Sequence, residues 1–505
     1  MGLADKPFVL LTRHCFSYGP FLLGNPSQMW YTVGIPKLDK GRNMLAEQTL
    51  ISEVRVMVPA GALGSGIKKE HVQRGISAGA QAIALDAGST DSGPSYLGRG
   101  VSKFNREAVK RDLEVVMTAR EQARIPLLIG SCGTSGCDLA VDWTCDIVLE
   151  IARERGHKPR VAVLYSEQSH EVMKAKNAQQ KIHPLPPSAE LTDEVIDSCE
   201  HIVALMGVEP YIAALRQGAD IVLGGRTTDT AILAAVPLMH GAGAGAAWHA
   251  SKVAECGGVC TVNRGDGGVL MRVGEREFEI EPLSLLNQCD VHSISAHMLY
   301  ENADPYRLIE PGGVLNVAAA GYTQLTDRVV RVAGSKFEPM PYTMKLEGAA
   351  KGAFQTISFI GIRDPIVLAS LDEFHDGLHE ALTDRIMKTF GTEAGDYDLS
   401  LRIYGWNGVS GQKMPRSAAA PHEVGVMLVI TAATQDLATR MSKTCNPLFF
   451  HFPLRPNVPQ PSYAFPFSPA EIERGQLFEF KLNHVVDVEH GLELVHTRWL
   501  DLGNS

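Results

Sequence analysis

A strand followed by a polar loop stands in Gly79-Ala80-Gln81-Ala82-Ile83-Ala84-Leu85-Asp86-Ala87-Gly88-Ser89-Thr90-Asp91. The same order of residue types recurs, once one residue is gapped, in Gly218-Ala219-Asp220-Ile221-Val222-Leu223-Gly224-Gly225-Arg226-Thr227-Thr228-Asp229. Each run has a glycine suited to end a helix, then a buried strand, then a loop of small residues ending in Thr-Asp. This internal similarity predicts two similar polar loops on the same edge of one sheet.

The wider pattern extends this prediction from about residue 50 to residue 240. Short apolar runs alternate there with longer amphipathic segments that are typical of helices, and the apolar runs are 54–58, 82–85, 126–129, 160–164, 201–206 and 219–223. Strands that alternate with helices form βαβ units, which build a parallel sheet covered on both faces. We therefore predict a doubly wound, mostly parallel Rossmann-like sheet, with a partial barrel as the competing architecture.

The chain is too long for one hydrophobic core, because it has 505 residues and cores stop growing near about 250 to 300 residues. Composition changes along the chain predict four regions. They are an N-terminal extension (1–50), the Rossmann-like α/β domain (51–250), a β-rich α+β region (251–390) and a C-terminal α+β domain with a Pro-rich arm (391–505).

Charge and composition exclude several classes of function. Lys and Arg total 47 against 57 Asp and Glu, a net charge of −10, and no basic cluster suited to nucleic acid is present. No stretch approaches the roughly 18 apolar residues of a membrane span, and no signal peptide is apparent. We expect a cytoplasmic homo-oligomer whose nine scattered cysteines are reduced.

The most unusual polar run is Asp86 to Tyr96, which follows an apolar strand directly. Ligands of open α/β sheets bind outside the carboxyl ends of strands, so this run is a candidate site. Asp86 is a candidate base or orienting group, and Asp91 a candidate for substrate contact or catalysis. A helix-capping Gly-Pro loop without catalytic function is the alternative.

Two further loops complete the candidate site. The glycine-rich run 129–138 precedes a helix, so Gly130, Ser131, Gly133 and Thr134 are candidates for holding an anion, with a purely structural turn as the alternative. It matches neither the dinucleotide nor the phosphate-loop motif.

The loop at the end of the second run, 218–229, contributes Arg226, Thr227 and Asp229 as substrate-binding candidates. The Arg226 guanidinium suits an acidic substrate, and an ion pair with Asp229 or Asp86 is the alternative. Glu167 also follows a strand and is a third catalytic candidate.

No motif requires a metal or a redox cofactor. A divalent cation between Asp86 and Asp91 stays open. His292 and His297 are five residues apart, which is not the spacing of a helical two-histidine metal motif. His249 and Cys256 share a helix face, where packing is favoured over a nucleophile pair.

The sequence resembles the acyclic terpene utilisation (AtuA-like) family in many short segments that follow one another in the same order. The resemblance covers about residues 54 to 467 and rests on 86–94, 206–210, 218–229, 247–249, 255–257, 297–301, 304–305 and 465–469. It implies catabolism of branched acids or acyl thioesters and supplies no reaction. The opening segment 8–40 differs from the family pattern.

These observations predict a catabolic enzyme for a small branched carboxylic acid or acyl-CoA thioester. A lyase, hydratase or isomerase fits best, with Asp86, Asp91 or Glu167 moving the proton next to the carbonyl. The alternative is a non-catalytic subunit or ligand-binding protein that acts with a partner chain. A catalytic loop should hold a carboxylate of shifted pKa in a concave site, whereas an interface loop should not.

Overall fold

The computed structural model describes residues 53–412, 419–459, 461 and 463–503. The predicted N-terminal extension, residues 1–50, lies outside the described residues. The described chain forms two compact units. The main unit comprises the residues up to Ala349 and those from Phe480 onward, and the smaller unit is Ala350–Glu479. The four regions predicted from composition stay a prediction.

The described strands are β1 (Val54–Val58), β2 (Ala82–Asp86), β3 (Leu127–Gly130), β4 (Arg160–Tyr165), β5 (Ile182–Pro184), β6 (Cys199–Ala204), β7 (Ile221–Gly224), β8 (Val269–Val273), β9 (Glu277–Pro282), β10 (Arg307–Glu310), β11 (Gly313–Asn316), β12 (Gly321–Gln324), β13 (Val330–Ala333), β14 (Lys336–Pro339), β15 (Thr343–Ile362), β16 (Asp398–Tyr404), β17 (Val424–Ala432), β18 (Ile472–Asp487) and β19 (His496–Asp501).

The described helices are α1 (Lys69–Ser77), α2 (Pro94–Arg99), α3 (Arg106–Ala123), α4 (Asp138–Arg155), α5 (His170–Ala178), α6 (Asp193–Ser198), α7 (Glu209–Arg216), α8 (Asp229–Met239), α9 (Ala244–Ala254), α10 (Val291–Ala296), α11 (Pro365–Leu368), α12 (Leu371–Phe390) and α13 (Gln435–Phe449). None of these helices combines the length and the apolar composition that a membrane crossing needs.

The main unit is built on a ten-stranded mixed sheet with the order β12-β13-β9-β8-β1-β2-β3-β7-β4-β19. Its centre, β1-β2-β3-β7-β4, is parallel, and antiparallel strands extend it on both sides. An α/β fold with a partly parallel sheet is therefore confirmed. The Rossmann-like doubly wound layout is not confirmed, because strands from the region 251–390 and the C-terminus join the same sheet.

Helices cover both faces of the parallel centre, which explains why its strands are apolar throughout. Side chains alternate between the faces of a strand, and those of β2 are all buried. Ile83 and Leu85 share a core with Leu113 of α3, whereas Ala82 and Ala84 share one with Ile232 of α8. The polar residues that follow β2 and β7 are thereby carried to the sheet's carboxyl edge.

Smaller sheets complete the main unit. Strands β10, β11 and β14 form an antiparallel sheet, which matters here because β10 ends at Glu310. Strand β5 pairs antiparallel with the C-terminal part of β18.

The smaller unit has its own core. Antiparallel strands β16 and β17 pair with each other, and β17 also pairs with the C-terminal part of β15. Helices α12 and α13 supply Phe374, Leu382 and Met441 to the core beside Leu428 of β17. Helix α13 continues through Pro447 to Phe449, so the Pro-rich segment begins inside a helix.

Candidate functional site

The three predicted loops meet at the carboxyl edge of β2, β3 and β7. The amide of Ala87 donates to the carbonyl of Gly130 at 2.9 Å, and the amide of Arg226 donates to that of Gly136 at 3.1 Å. A β-carbon on Gly136 would lie 2.2 Å from the Arg226 amide nitrogen, so only glycine permits this approach. The chain thus brings Asp86, the glycine-rich loop and Arg226 together.

The Arg226 side chain is enclosed by acceptors from the protein. Its Nε donates to Glu347 Oε2 at 3.0 Å, and its Nη1 donates to Ser131 Oγ at 3.1 Å and to the Thr227 carbonyl at 3.0 Å. Asp229 Oδ1 lies 3.6 Å from Nη1, so the ion pair with Asp229 that the sequence left open is present. Its role in substrate binding stays a prediction.

Glu347, at the start of β15, is the principal partner of Arg226, and sequence analysis missed it. Its carboxylate also accepts from Thr90 Oγ1 at 2.7 Å and from Lys345 Nζ at 2.8 Å. Against the opposing effect of burial, Lys345 and Arg226 hold the pKa of Glu347 well below its ordinary range. Glu347 is therefore an ionised anchor for the guanidinium.

Asp86 is a buried carboxyl at the end of β2. Its Oδ2 accepts from the Gly88 amide at 2.8 Å, whereas Oδ1 is buried without a hydrogen-bond partner. Burial, and then the nearby Asp229 carboxylate, raise the pKa of Asp86 well above its ordinary range, although Arg226 acts in the opposite direction. The surroundings of this carboxyl therefore favour its protonated form over its ionised form.

Solvent reaches the same group of residues through Asp229, the first residue of α8. Its side chain is 28% exposed. Burial raises the pKa of Asp229 to about 6, with Arg226 opposing and Asp91 adding to the rise. Asp91 itself is exposed, and its Oδ2 accepts from Ser89 Oγ at 2.9 Å. Among the described residues, neither Asp86 nor Asp91 belongs to a cluster of three metal-ligating side chains.

The glycine-rich loop is buried, and its backbone is strained. Ser131 and Thr134 have φ angles of 47° and 84°, which side-chain-bearing residues rarely adopt and which collect at functional sites. Thr134 Oγ1 accepts from the Lys103 amide at 2.9 Å. Within the described chain, the amides of 133–135 donate no hydrogen bond to another protein group. Anion binding by these amides stays a prediction.

The other predicted loop residues are packed closely against neighbouring elements. A β-carbon on Gly130 would lie 2.1 Å from Ile232 Cδ1, so the glycine lets α8 pack on β3. Thr227 is buried, and its Oγ1 donates to the Gly225 carbonyl at 2.9 Å.

A second group of charges, which the sequence analysis did not predict, lies buried beside these loops. Lys252 Nζ contacts Glu255 at the end of α9, and Thr230 Oγ1 donates to Glu310 Oε1 at 2.6 Å. Burial raises the pKa of Glu255 to about 8 and that of Glu310 to about 7. The only local signal was a Lys and a Glu three residues apart on an otherwise apolar helix.

Glu167 belongs to a different centre. It accepts from the Asp138 amide at 2.7 Å and pairs with His201 Nδ1 at 2.6 Å. A cavity of about 440 Å³ is lined by Asp138 and Glu167 together with Tyr165, Glu493 and His496. Burial and Glu167 raise the pKa of Asp138 to about 6. No hydrogen bond or ion pair among the described residues joins Glu167 to Asp86 or Arg226.

The Glu167–His201 pair makes a direct prediction about titration. The hydrogen bond to Glu167 raises the pKa of His201 above its ordinary value, although burial opposes the rise. We expect Glu167→Gln to lower this pKa, because the largest effect that raises it is lost, whereas burial and the smaller effects of Glu200 and Asp138 remain. Since the folded-state value is raised, the pair stabilises the fold at low pH, and this stability is lost as pH rises through that value.

Proton NMR titration of the His201 ring measures this change. Glu171→Gln, at an exposed acid on α5, is the matched control and should leave the His201 titration unchanged. An unchanged His201 pKa in Glu167→Gln would contradict the pairing.

Comparison with known proteins places most of the chain in a family. The family model for the acyclic terpene utilisation family protein AtuA matches residues 102–269 and 286–459, more than half of the chain. The chain belongs to the acyclic terpene utilisation family. Arg226, Glu255 and Glu310 lie within the matched residues, and Asp86 lies before them. No curated protein and no solved structure gave a match.

Family membership implies a role in acyclic terpene catabolism. It establishes neither the reaction nor the type of substrate, so those rest on the geometry of the site.

Proposed function

We propose that this AtuA-family chain is an enzyme of acyclic terpene catabolism, of the lyase, hydratase or isomerase type. Its proposed substrate is a small branched carboxylic acid or the corresponding acyl-CoA thioester. One observation carries the proposal: the buried Asp86 carboxyl has an oxygen without a partner and lies in the same charged group as Asp229, which solvent reaches. This group lies where α/β sheets bind their ligands.

The two aspartates suit opposite halves of a proton transfer. With a pKa of about 6, Asp229 is mostly ionised at neutral pH and can accept a proton, whereas the raised pKa of Asp86 favours the protonated form that can donate one. When the surroundings of two carboxyl groups separate their pKa values, the group with the higher pKa commonly acts as the acid and the other as the base. Asp91 and Glu167, also predicted as catalytic, lie at the exposed rim and in the separate His201 centre, respectively.

In the dehydration direction, Asp229 removes the proton from the carbon next to the carbonyl. Asp86 donates its proton to the hydroxyl leaving from the next carbon. One C–H and one C–O bond break, a C=C bond forms, and water departs, so no redox partner is needed. Proton exchange with solvent resets both carboxyls. Hydration is the reverse sequence.

Two features of the site could meet the negative charge of an anionic intermediate or substrate. Arg226 lies beside Ser131 and Asp229, and the amides of 133–135 belong to the adjoining loop. Positive groups and backbone amides stabilise the negative charge that develops on a carbonyl oxygen when the neighbouring carbon loses a proton.

Exchange of carbon-bound hydrogen in D₂O tests the proposal before the product is known. The protein is incubated with short branched acids and, separately, with their CoA thioesters, and deuterium next to the carbonyl is measured by mass spectrometry. We expect incorporation with at least one member of either series. Stabilisation by a compound in a thermal-shift measurement, without exchange for any compound, would instead favour the non-catalytic ligand-binding alternative.

A further inference from the structure

We infer that Glu255, Cys256 and His297 form a binding site for a divalent transition-metal ion. One ligand atom of each residue lies within 4.8 Å of the other two. Glu255 and Cys256 follow the end of α9, and His297 follows the end of α10. The inference is independent of the proposed reaction, because metal binding can be measured without any substrate.

An unpartnered ring nitrogen supports this assignment. His297 is only 4% exposed, and its Nε2 is buried without a hydrogen-bond partner. Buried polar atoms are normally paired, and each exception needs a physical explanation. The neighbouring Glu310 also has a buried oxygen, Oε2, without a partner. A cation would satisfy the imidazole nitrogen directly and the Glu310 carboxylate electrostatically.

The charge balance around Lys252 points in the same direction. Asp229, Glu255 and Glu310 all interact electrostatically with this one ammonium, whereas Arg226 is already matched by Glu347. Buried carboxylates are tolerated when they are paired or when they bind a metal. Glu255 and Glu310 share this ammonium with Asp229, and Glu310 Oε2 has no hydrogen-bond partner, so acidic oxygens are available to a bound cation.

The ligand types select the class of metal. A thiolate and an imidazole favour zinc-like ions over magnesium or calcium, which prefer oxygen ligands alone. Ligands on one zinc ion lie roughly 2.0 to 2.3 Å from it, so the three side chains need only small inward movements. Three protein ligands with an open fourth position are typical of catalytic zinc sites, and structural sites are closed by a fourth.

Cobalt(II) is the probe, since it replaces zinc and gives a near-ultraviolet charge-transfer band when a thiolate is bound. We expect the full chain, stripped with chelator and dialysed, to bind one Co²⁺ with such a band. Binding releases the Cys256 proton, so affinity should rise with pH. Cys256→Ser should abolish the band and weaken binding at least tenfold, since even groups that only orient ligands contribute about 10- to 100-fold.

Matched variants locate the metal. Cys260→Ser changes a buried thiol that hydrogen-bonds to Gly257, and Cys137→Ser changes the thiol of the other cluster, with Glu167 and His201. Both should keep the band. His297→Gln should weaken binding, whereas His292→Gln, at an exposed histidine, should not.

Two results would overturn the inference. One is a wild-type chain that binds no Co²⁺ with a thiolate band. The other is a band that persists in Cys256→Ser or is lost in Cys137→Ser. Circular dichroism of each variant checks folding, and the wild-type measurement decides the question even when a variant fails to fold.

Discussion

Replacing Arg226 with methionine is expected to lower the free energy of unfolding by about 3 to 5 kcal/mol, the usual loss when one partner of a buried ion pair is removed. Methionine keeps much of the apolar stem but removes the guanidinium beside Asp229 and one of the donors to Ser131. Arg226 favours the ionised form of Glu347, Asp86 and Asp229. The loss should therefore shrink as pH falls through about 6 and Asp229 becomes protonated.

Urea unfolding at neutral and acidic pH measures the effect. Arg307→Met is the matched control, because Arg307 is 49% exposed and pairs with Glu338 at 2.8 Å on the surface. Such pairs contribute roughly 0.2 to 1 kcal/mol. Combining Arg226→Met with Glu347→Gln should cost less than the two single losses added together. A loss for Arg226→Met no larger than that of the control would refute the anchoring role.

Replacing Asp86 with asparagine is expected to reduce the rate of dehydration of a hydroxy acid or hydroxyacyl thioester by about 10²- to 10⁴-fold, the usual contribution of a general acid or base. Asparagine has the shape of a protonated aspartate and can still accept from the Gly88 amide. Stability should therefore change little. In the wild type, activity that needs protonated Asp86 should fall as pH rises past its elevated pKa.

The measurement is the initial rate of C=C bond formation from the hydroxylated substrate, with thermal unfolding recorded on the same samples. Asp197→Asn, at an exposed aspartate paired with Lys174, should leave both quantities unchanged. If Asp86→Asn dehydrates the substrate at the wild-type rate, Asp86 is not the acid, and the proposed division of roles between it and Asp229 fails.

The carboxyl edge of the sheet was predictable because its signals are local. Strands β2 and β7 are short apolar runs that end in polar loops, and a parallel arrangement brings such loops to one edge. The same local signal did not predict which residues Glu167 contacts. Its strand, β4, ends at the same edge, but Glu167 contacts Asp138 and His201 instead. The end of a strand determines at which edge of the sheet a residue lies, but it does not determine which residues that side chain contacts.

The partners missed by sequence analysis arrive from distant segments. Glu347 comes from β15 and Glu310 from β10, and both are far along the sequence from the loops that the sequence analysis selected. Lys252 and Glu255 gave a local signal, because they are oppositely charged and three residues apart beside an apolar segment. A solvent-exposed helix face would show the same pattern. Their burial depends on α9 packing in the core of the main unit, which no local pattern reveals.

The sequence by itself determined the α/β alternation, the parallel strands and the loops that carry Asp86, Arg226 and Asp229, because these follow from hydrophobic spacing within short windows. Only the tertiary structure decided which charges are buried together, that Arg226 is anchored by Glu347, and that antiparallel strands widen the sheet. The physical reason is that burial and Coulomb interactions depend on distance in space, and pairs far apart along the chain leave no periodic trace.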